Sequence, residues 1–181
     1  DHLIRLQDSI NKSINNNSFT IGLFFDFSKA FDMVWKEGLL HKIRQLGING
    51  KMEHWIQSFL SNRTFRVKVN STLSSQHFLQ NGTPQGSVIS PLLFLIMINS
   101  FPTAEPGTST SLFADDSAIW RSGKHLQTTI NSLQKDVLKI QQWCDEWGFK
   151  LNEEKTVSMI FTKNCTLQHQ QLPLTINGKT I

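Results

Sequence analysis

Two adjacent carboxylates, Asp115 and Asp116, stand between apolar tetrads in the segment SLFADDSAIW, residues 111–120. Aspartate is common in turns, so a solvated hairpin tip would account for the pair. Four features argue otherwise. The flanks are apolar on both sides, the two acids repel each other, no lysine or arginine lies within several residues, and Asn-Gly or Asp-Gly suits a two-residue turn better. Unpaired carboxylates in apolar surroundings are costly unless they protonate or bind a cation. A hard divalent ion with oxygen ligands is the simplest answer. A further acid, Asp26, ends the apolar run FTIGLFFDF, residues 19–27. Alone it is weak evidence, because strands often end in aspartate for turn reasons. Taken with Asp115 it becomes informative. Carboxylates from adjacent strand ends of one sheet can bridge two Mg²⁺ ions about 3.5–4 Å apart, the arrangement used for in-line phosphoryl transfer.

The flanking pattern predicts the elements that must hold these acids. Leu3, Leu6, Ile10 and Ile14 recur at helical spacing, and Asn15-Asn16-Asn17-Ser18 breaks the pattern before the strand at 19–27. Trp35, Leu39, Ile43 and Leu46 predict a helix stopped by Gly47, and Met52, Trp55, Ile56 and Phe59 predict another over about 50–60. Strict alternation in TFRVKVN, 64–70, predicts a half-buried strand with a basic outer face and a partner at 75–80. A turn-rich stretch, Asn81 to Gly86, leads into an apolar helix over about 88–100, with Ser87 and Ser90 as candidate caps. Two apolar tetrads around an Asp115-Asp116 centre predict a hairpin. Leu126, Ile130, Leu133, Val137, Ile140, Cys144 and Trp147 alternate steps of four and three, a core helix closed by Gly148. TVSMIFT, 156–162, reads as a strand, and Asn177-Gly178 signals a type I′ hairpin. Helices and antiparallel strand pairs without strict alternation predict an α+β fold, a sheet with helices packed on one face.

The chain has 181 residues, 39% hydrophobic and 10% aromatic, enough to fill a core, which excludes wholesale disorder. Its net charge of +4 is too small to establish a nucleic-acid partner. The distribution says more. All 18 basic residues lie in 1–68 or 121–181, and between Val69 and Trp120 the only charges are Glu105, Asp115 and Asp116. Two cysteines are too few for a disulfide scaffold and make an intracellular setting the default. The scattered histidines have no zinc spacing. The apolar run from Val88 to Phe101 is too short to span a bilayer, so no membrane partner is expected. A polar start without methionine, in apparent mid-helix, suggests a piece of a longer chain.

The order FFDFSKAFD (24–32), NGTPQGSVISPLLF (81–94), FADD (113–116) and GFKLNEEKT (148–156) resembles the palm of a reverse transcriptase. It is most similar to those of non-LTR retrotransposons, and among them to jockey-like elements. The order and spacing of four blocks make the likeness specific. It implies that 1–181 is one reverse transcriptase domain. Its polymerase palm-type antiparallel sheet would be joined by incomplete fingers and no thumb, ending at the primer-grip hairpin LTINGKTI. It implies catalytic roles for Asp26, Asp115, Asp116 and Lys155. Asp26, the Phe27 carbonyl, Asp115 and, in a supporting role, Asp116 would bind two Mg²⁺ ions, with Mn²⁺ a possible substitute. Phe31 would be the steric gate against a ribonucleotide 2′-hydroxyl, although helical spacing alone makes it a core aromatic. Gln85 would bond near the incoming sugar or the templating pair, and Gly86 would let the backbone approach the dNTP. A simple turn before a helix also explains Pro84-Gln85-Gly86 in isolation, and a solvated face explains Lys155. Arg63, Arg66 and Lys68, around Phe65, would contact nucleic-acid phosphates or else form a solvated hairpin face. Phe113 stands where the family often has tyrosine, so altered nucleotide handling is the most that this departure implies.

The expected partners are an RNA template, a DNA primer, dNTP and the rest of a parent polyprotein with fingers, thumb and an endonuclease domain. The expected location is intracellular, in a cytoplasmic ribonucleoprotein and the nucleus. The expected activity is RNA-directed DNA polymerisation, with the isolated fragment inactive. Three alternatives stay open: a non-catalytic nucleic-acid-binding relic, a group II intron-type reverse transcriptase, and an unrelated two-metal nuclease that needs neither Phe31 nor Pro84-Gln85-Gly86.

Overall fold

The computed structural model describes residues 2–168 and 170–181. In chain order the elements begin with α1 (His2–Asn15), β1 (Phe19–Phe25), α2 (Ala30–Met33), α3 (Lys36–Gln45) and α4 (Lys51–Leu60). Four short strands follow, β2 (Thr64–Phe65), β3 (Lys68–Val69), β4 (Thr72–Leu73) and β5 (His77–Phe78), then α5 (Ser90–Ile98). The remainder holds β6 (Thr108–Phe113), β7 (Asp116–Gly123), α6 (Leu126–Trp147), β8 (Val157–Phe161), α7 (Cys165–Gln168), β9 (Thr175–Ile176) and β10 (Lys179–Thr180). The chain forms two compact units. One combines the residues up to Ser28 with Phe101–Ile181, and the other is Lys29–Ser100.

The first unit is built on an antiparallel sheet in the order β6-β7-β1-β8. Central β1 is dense in aromatic and β-branched residues, with Ile21 and Leu23 fully buried. Gly22 pairs with Trp120, so Thr20 and Trp120 share a face. There Thr20 Oγ1 bonds Ser13 Oγ at 2.8 Å, and the Arg5 guanidinium lies 5.8 Å from the Trp120 ring centre. α1 therefore covers this face. Ile119 and Gly123 alternate onto the other, where Ile119 and Ile140 of α6 line one small gap and Thr129 abuts Gly123. The antiparallel sheet with packed helices is the expected class, but helices lie on both faces rather than one. The reason is β1 itself: Phe19, Ile21, Leu23 and Phe25 are buried on one face, and Thr20 is buried on the other against Ser13 of α1, so both sides are covered.

α6 buries its four-three stripe, and Gly148, in the left-handed region at φ 74, ends it. Burial pushes the Cys144 thiol up to about 12, so this cysteine is an inert core residue. Buried Asp136 accepts the Glu105 N–H at 2.7 Å and fixes the entry to β6. Glu105 also pairs with Lys139 at 2.5 Å, and that hydrogen-bonded ammonium holds the carboxyl below its usual range. The turn between β9 and β10 has φ 50 at Asn177 and φ 79 at Gly178, the expected type I′ pattern.

The second unit packs α3 against α4 and α5 around Leu39, Ile43, Ile56, Leu60, Phe94 and Met97. The buried Lys42 ammonium donates to the Met97 carbonyl and to Ser100 Oγ, where a cation complements the end of α5. Of the apolar residues predicted for α4, Ile56 is buried, whereas Met52 and Trp55 are exposed.

Residues 64–70 differ from expectation. The single half-buried strand is split into β2 and β3, which pair with β5 and β4 respectively, and every residue of these strands is exposed. Ser74 explains the break. Its N–H donates to the Val67 carbonyl at 2.9 Å, and its Oγ accepts the Val67 N–H at 2.9 Å. A side chain thus replaces a ladder bond and bends the ribbon. Nor do Ser87 and Ser90 cap α5. Ile89 holds the cap position with no side-chain bond, while Ser90 Oγ donates to the Pro84 carbonyl at 2.6 Å. Among the described residues, no helix is long and apolar enough to cross a membrane.

Candidate active site

The register of the first unit brings the acids together. β1 and β7 run antiparallel to the pair Phe25–Ser117, so one further step sets Asp26 level with Asp116. Strands lie about 4.8 Å apart, so carboxylates at neighbouring strand ends can share a ligand. Phe113 pairs with Asp116, which makes the turn Ala114-Asp115 rather than Asp115-Asp116. Asp115 is the tip and Asp116 already belongs to β7. The correction has a backbone cause. Ala114 has φ 52 while Asp115 lies outside the positive-φ region, the pattern of a II′ turn, which needs only one left-handed residue. Alanine in that conformation costs about 1–2 kcal/mol, a strain that the surrounding pairing must hold.

Asp26 is held by its main chain. Its N–H points to Thr156 Oγ1 at 3.4 Å, and its carbonyl accepts the Asn152 N–H at 2.8 Å. Thr156 Oγ1 in turn donates to the Asn152 carbonyl at 2.8 Å. Ser28 N–H donates to the Lys150 carbonyl at 2.8 Å, so Phe27 and Leu151 form the bridge between these bonds. In that antiparallel pattern the N–H and C=O of Phe27 point away from Leu151, to the side of the strand on which β7 pairs with β1. The Phe27 ring is buried against Trp143 and Phe149, with centroids 6.4 and 5.7 Å away. The turn supplying Asn152 is tied to the last hairpin through Asn177 Nδ2, which donates to Glu153 Oε1 at 2.6 Å and lowers the Glu153 pKa.

Among the described residues, no cation forms an ion pair with Asp26, Asp115 or Asp116. Nor is any group of three His, Cys, Asp or Glu side chains gathered into a self-sufficient metal cage. The donors offered are carboxylates and a main-chain carbonyl, all hard oxygens. That set fits Mg²⁺, which is commonly held by one or two carboxylates with substrate phosphates completing its shell. Beside Asp116 lies a largely apolar cavity of about 490 Å³, walled by Leu3, Leu6, Phe24, Phe113 and Trp120. Phe113 is exposed, edge-on to His2 with centroids 6.3 Å apart.

In the second unit, Phe31 is partly buried and stacks on Phe94, centroids 4.5 Å apart. Gln85 and Gly86 are exposed, and Gln85 Nε2 donates to Asp32 Oδ1 at 2.9 Å. The loop before them is docked on α2 and on Val34, which follows it. Gly82 N–H donates to the Val34 carbonyl at 2.8 Å and Thr83 N–H to the Phe31 carbonyl at 2.9 Å. Gly82, at φ 88, is required there, since a Cβ would meet the Asp32 carbonyl oxygen at 2.8 Å. Arg63 Nη1 donates to the Gly82 carbonyl at 2.6 Å, so part of its guanidinium braces this loop. Arg66 reaches Gln76 Oε1 at 3.3 Å, and Lys68 is exposed on β3. Lys155 is exposed in the turn that carries Asn152.

Thr156 and Asn152, beside Asp26 in the first unit, and Asp32, beside Gln85 in the second, were not singled out by their spacing. The Asp26 contact with Thr156 joins residues 130 apart, and Gln85 meets Asp32 across 53. All three lie in the blocks GFKLNEEKT and FFDFSKAFD or directly at their ends, which is the signal that could have marked them.

Comparison with known proteins adds independent findings. The family model described as reverse transcriptase (RNA-dependent DNA polymerase) matches residues 2–178. The "RNA-directed DNA polymerase from mobile element jockey" of Drosophila melanogaster is 32% identical over 168 residues, 89% of this chain and 18% of that protein. The "Probable RNA-directed DNA polymerase from transposon BS" of the same species is 29% identical over 181 residues, 96% of this chain and 20% of that protein. The chain thus spans about a fifth of the length of these curated relatives. A Candida tropicalis telomerase solved with a telomeric RNA fragment superposes with a TM-score of 0.67 and 15% identity, over all of this chain and 31% of that one. At that identity the likeness concerns the fold alone.

Proposed function

Because the chain belongs to the reverse transcriptase (RNA-dependent DNA polymerase) family, we propose that it forms the catalytic palm of a non-LTR retrotransposon polymerase. The reaction is nucleotidyl transfer from dNTP to a DNA primer 3′-hydroxyl on an RNA template. One observation carries the reading: Asp26 and the adjacent acids Asp115 and Asp116 sit at the same end of neighbouring, directly paired strands.

Asp26 and Asp115 would hold two Mg²⁺ ions, with the Phe27 carbonyl as a further oxygen and Asp116 in support. The ions, when bound, make the primer hydroxyl more acidic and neutralise charge building on the phosphates. The chain's own task is positioning. The Thr156–Asn152 clamp fixes the Asp26 backbone, and the strained Ala114 turn projects Asp115 beyond the end of the sheet. The apolar cavity beside Asp116 offers a dry wall for a primer-terminal base. Phe31 serves as the gate against a 2′-hydroxyl, Gln85 and Gly86 face the dNTP, and Lys155 supplies a proton to departing pyrophosphate. Arg63, Arg66 and Lys68 draw nucleic-acid phosphates. The rest of the polyprotein supplies the surfaces that grip template and primer.

The test is primer extension with poly(rA)/oligo(dT), dTTP and Mg²⁺ by the full-length polypeptide carrying this chain. Asp115→Ala is expected to lower the rate by at least about 10³-fold, since it removes a ligand of the ions that neutralise charge on the reacting phosphates. Circular dichroism and melting temperature should stay unchanged. Full activity in that variant would discard the metal assignment.

A further inference from the structure

The chain leading into Pro84-Gln85-Gly86 is held to α2 and Val34 by main-chain bonds from Gly82 and Thr83, and one side-chain bond joins the same two segments. Asp32 Oδ1 accepts from Gln85 Nε2 at 2.9 Å. The chemistry of the pair fixes which way the amide turns. A carboxylate only accepts, so the nitrogen end of Gln85 must face Asp32. Oε1 is then the end left to meet a ligand, and it can only accept. Without Asp32 the amide could present either end, since its two ends are nearly equal in shape.

We propose that Asp32 is a positioning residue that sets the Gln85 amide so that Oε1 faces the incoming nucleotide as a fixed acceptor. The inference rests on the polymerase reading, in which Gln85 faces the dNTP. An acceptor there selects a donor on the ligand. A deoxynucleotide sugar carries one such donor, its 3′-hydroxyl. Asp32 therefore sharpens recognition of a nucleotide with that hydroxyl over one that lacks it, without touching the nucleotide itself. The docked loop makes the arrangement ready before substrate arrives, because Gly82 and Thr83 already fix the path of the chain leading to Gln85.

The experiment measures KM and kcat of the full-length polypeptide for dTTP, and the preference for dTTP over dideoxy-TTP. Asp32→Ala should raise KM for dTTP about fivefold to tenfold, with kcat within about twofold, and should erode the preference by the same factor, as loss of one hydrogen bond implies. Gln85→Ala should match it, and the double variant should be no worse than either single one. Asp32→Asn should fall between the parent and Asp32→Ala, because its amide offers either a donor or an acceptor and no longer fixes which end of Gln85 turns outward. An exchange of chemistry covers the case in which Asp32→Ala fails to fold. Gln85→Glu sets two carboxylates against each other and should lose preference. Adding Asp32→Asn supplies a donor amide, leaves an acceptor oxygen facing out, and should restore it. Unchanged preference in Asp32→Ala, additive losses in the double variant, or no rescue in the exchange would each overturn the role of Asp32. A parent that extends no primer would overturn the polymerase reading, and this inference with it.

Discussion

β1 and the 64–78 ribbon are written in the same residue alphabet, β-branched and aromatic side chains, yet they end in opposite environments. Ile21 and Leu23 of β1 are fully buried, whereas Val67 and Val69 of the ribbon keep more than half of their surface exposed. Alternation specifies an extended backbone; what covers each face is decided elsewhere in the chain. α1 and α6 cover β1. The ribbon is held by short main-chain pairs and by the Ser74 hydroxyl, which accepts the Val67 N–H. The largest contrast should appear in stability. Leu23→Ala should cost about 2–5 kcal/mol, lost transfer energy plus the cavity left behind. Val69→Ala should cost less than about 0.5 kcal/mol, as at other exposed positions. Urea unfolding followed by circular dichroism measures both, and equal costs would break the contrast.

The same distinction governs what could be read in advance. The long helix over Leu126–Trp147, its Gly148 stop and the Asn177-Gly178 turn follow from local signals, and the structure has them where the signals lie. The carboxylate turn was displaced by one residue because propensity favours neither Ala-Asp nor Asp-Asp; pairing of Phe113 with Asp116 decides it. Ser90 looked like a cap because serine before an apolar run satisfies a helix N-terminus, but the Pro84 carbonyl competes for its hydroxyl. The acids themselves were legible, since unpaired charge in apolar sequence stands out. Their support was not. Thr156 resembles any threonine opening a strand, and only the folded register places its hydroxyl at Asp26.

That support can be sharpened by substitution. Thr156→Val keeps shape and burial while removing the oxygen that faces the Asp26 N–H and donates to Asn152. We expect kcat in primer extension to fall about tenfold, with about 1–2 kcal/mol lost in unfolding, the range for a broken buried hydrogen bond. A stability loss with kcat unchanged would make Thr156 a packing residue only. In the second unit, Phe31→Ala should raise incorporation of ribonucleotides relative to deoxynucleotides, read by extension with rNTP against dNTP. Phe31 stacks on Phe94, so some destabilisation accompanies the change. Unaltered sugar choice would return Phe31 to a purely structural role.

The smallest effect concerns charge on the ribbon. No acid occurs between Glu53 and Glu105, so Arg66 and Lys68 act in a stretch with no carboxylate to neutralise them. On the sheet-bearing unit the corresponding cation Lys139 is already paired with Glu105 at 2.5 Å. An unpaired cation that meets a phosphate releases a counterion, whereas a paired one has little to release. Binding of single-stranded RNA, measured by fluorescence anisotropy across a salt series, should therefore separate the two. Lys68→Ala should reduce the slope of log affinity against log salt by about 0.7. Arg66→Ala should do the same, and Lys139→Ala should leave the slope unchanged. A slope that responds to Lys139 and ignores Lys68 would place the phosphate contacts on the sheet-bearing unit and leave the ribbon a solvated edge.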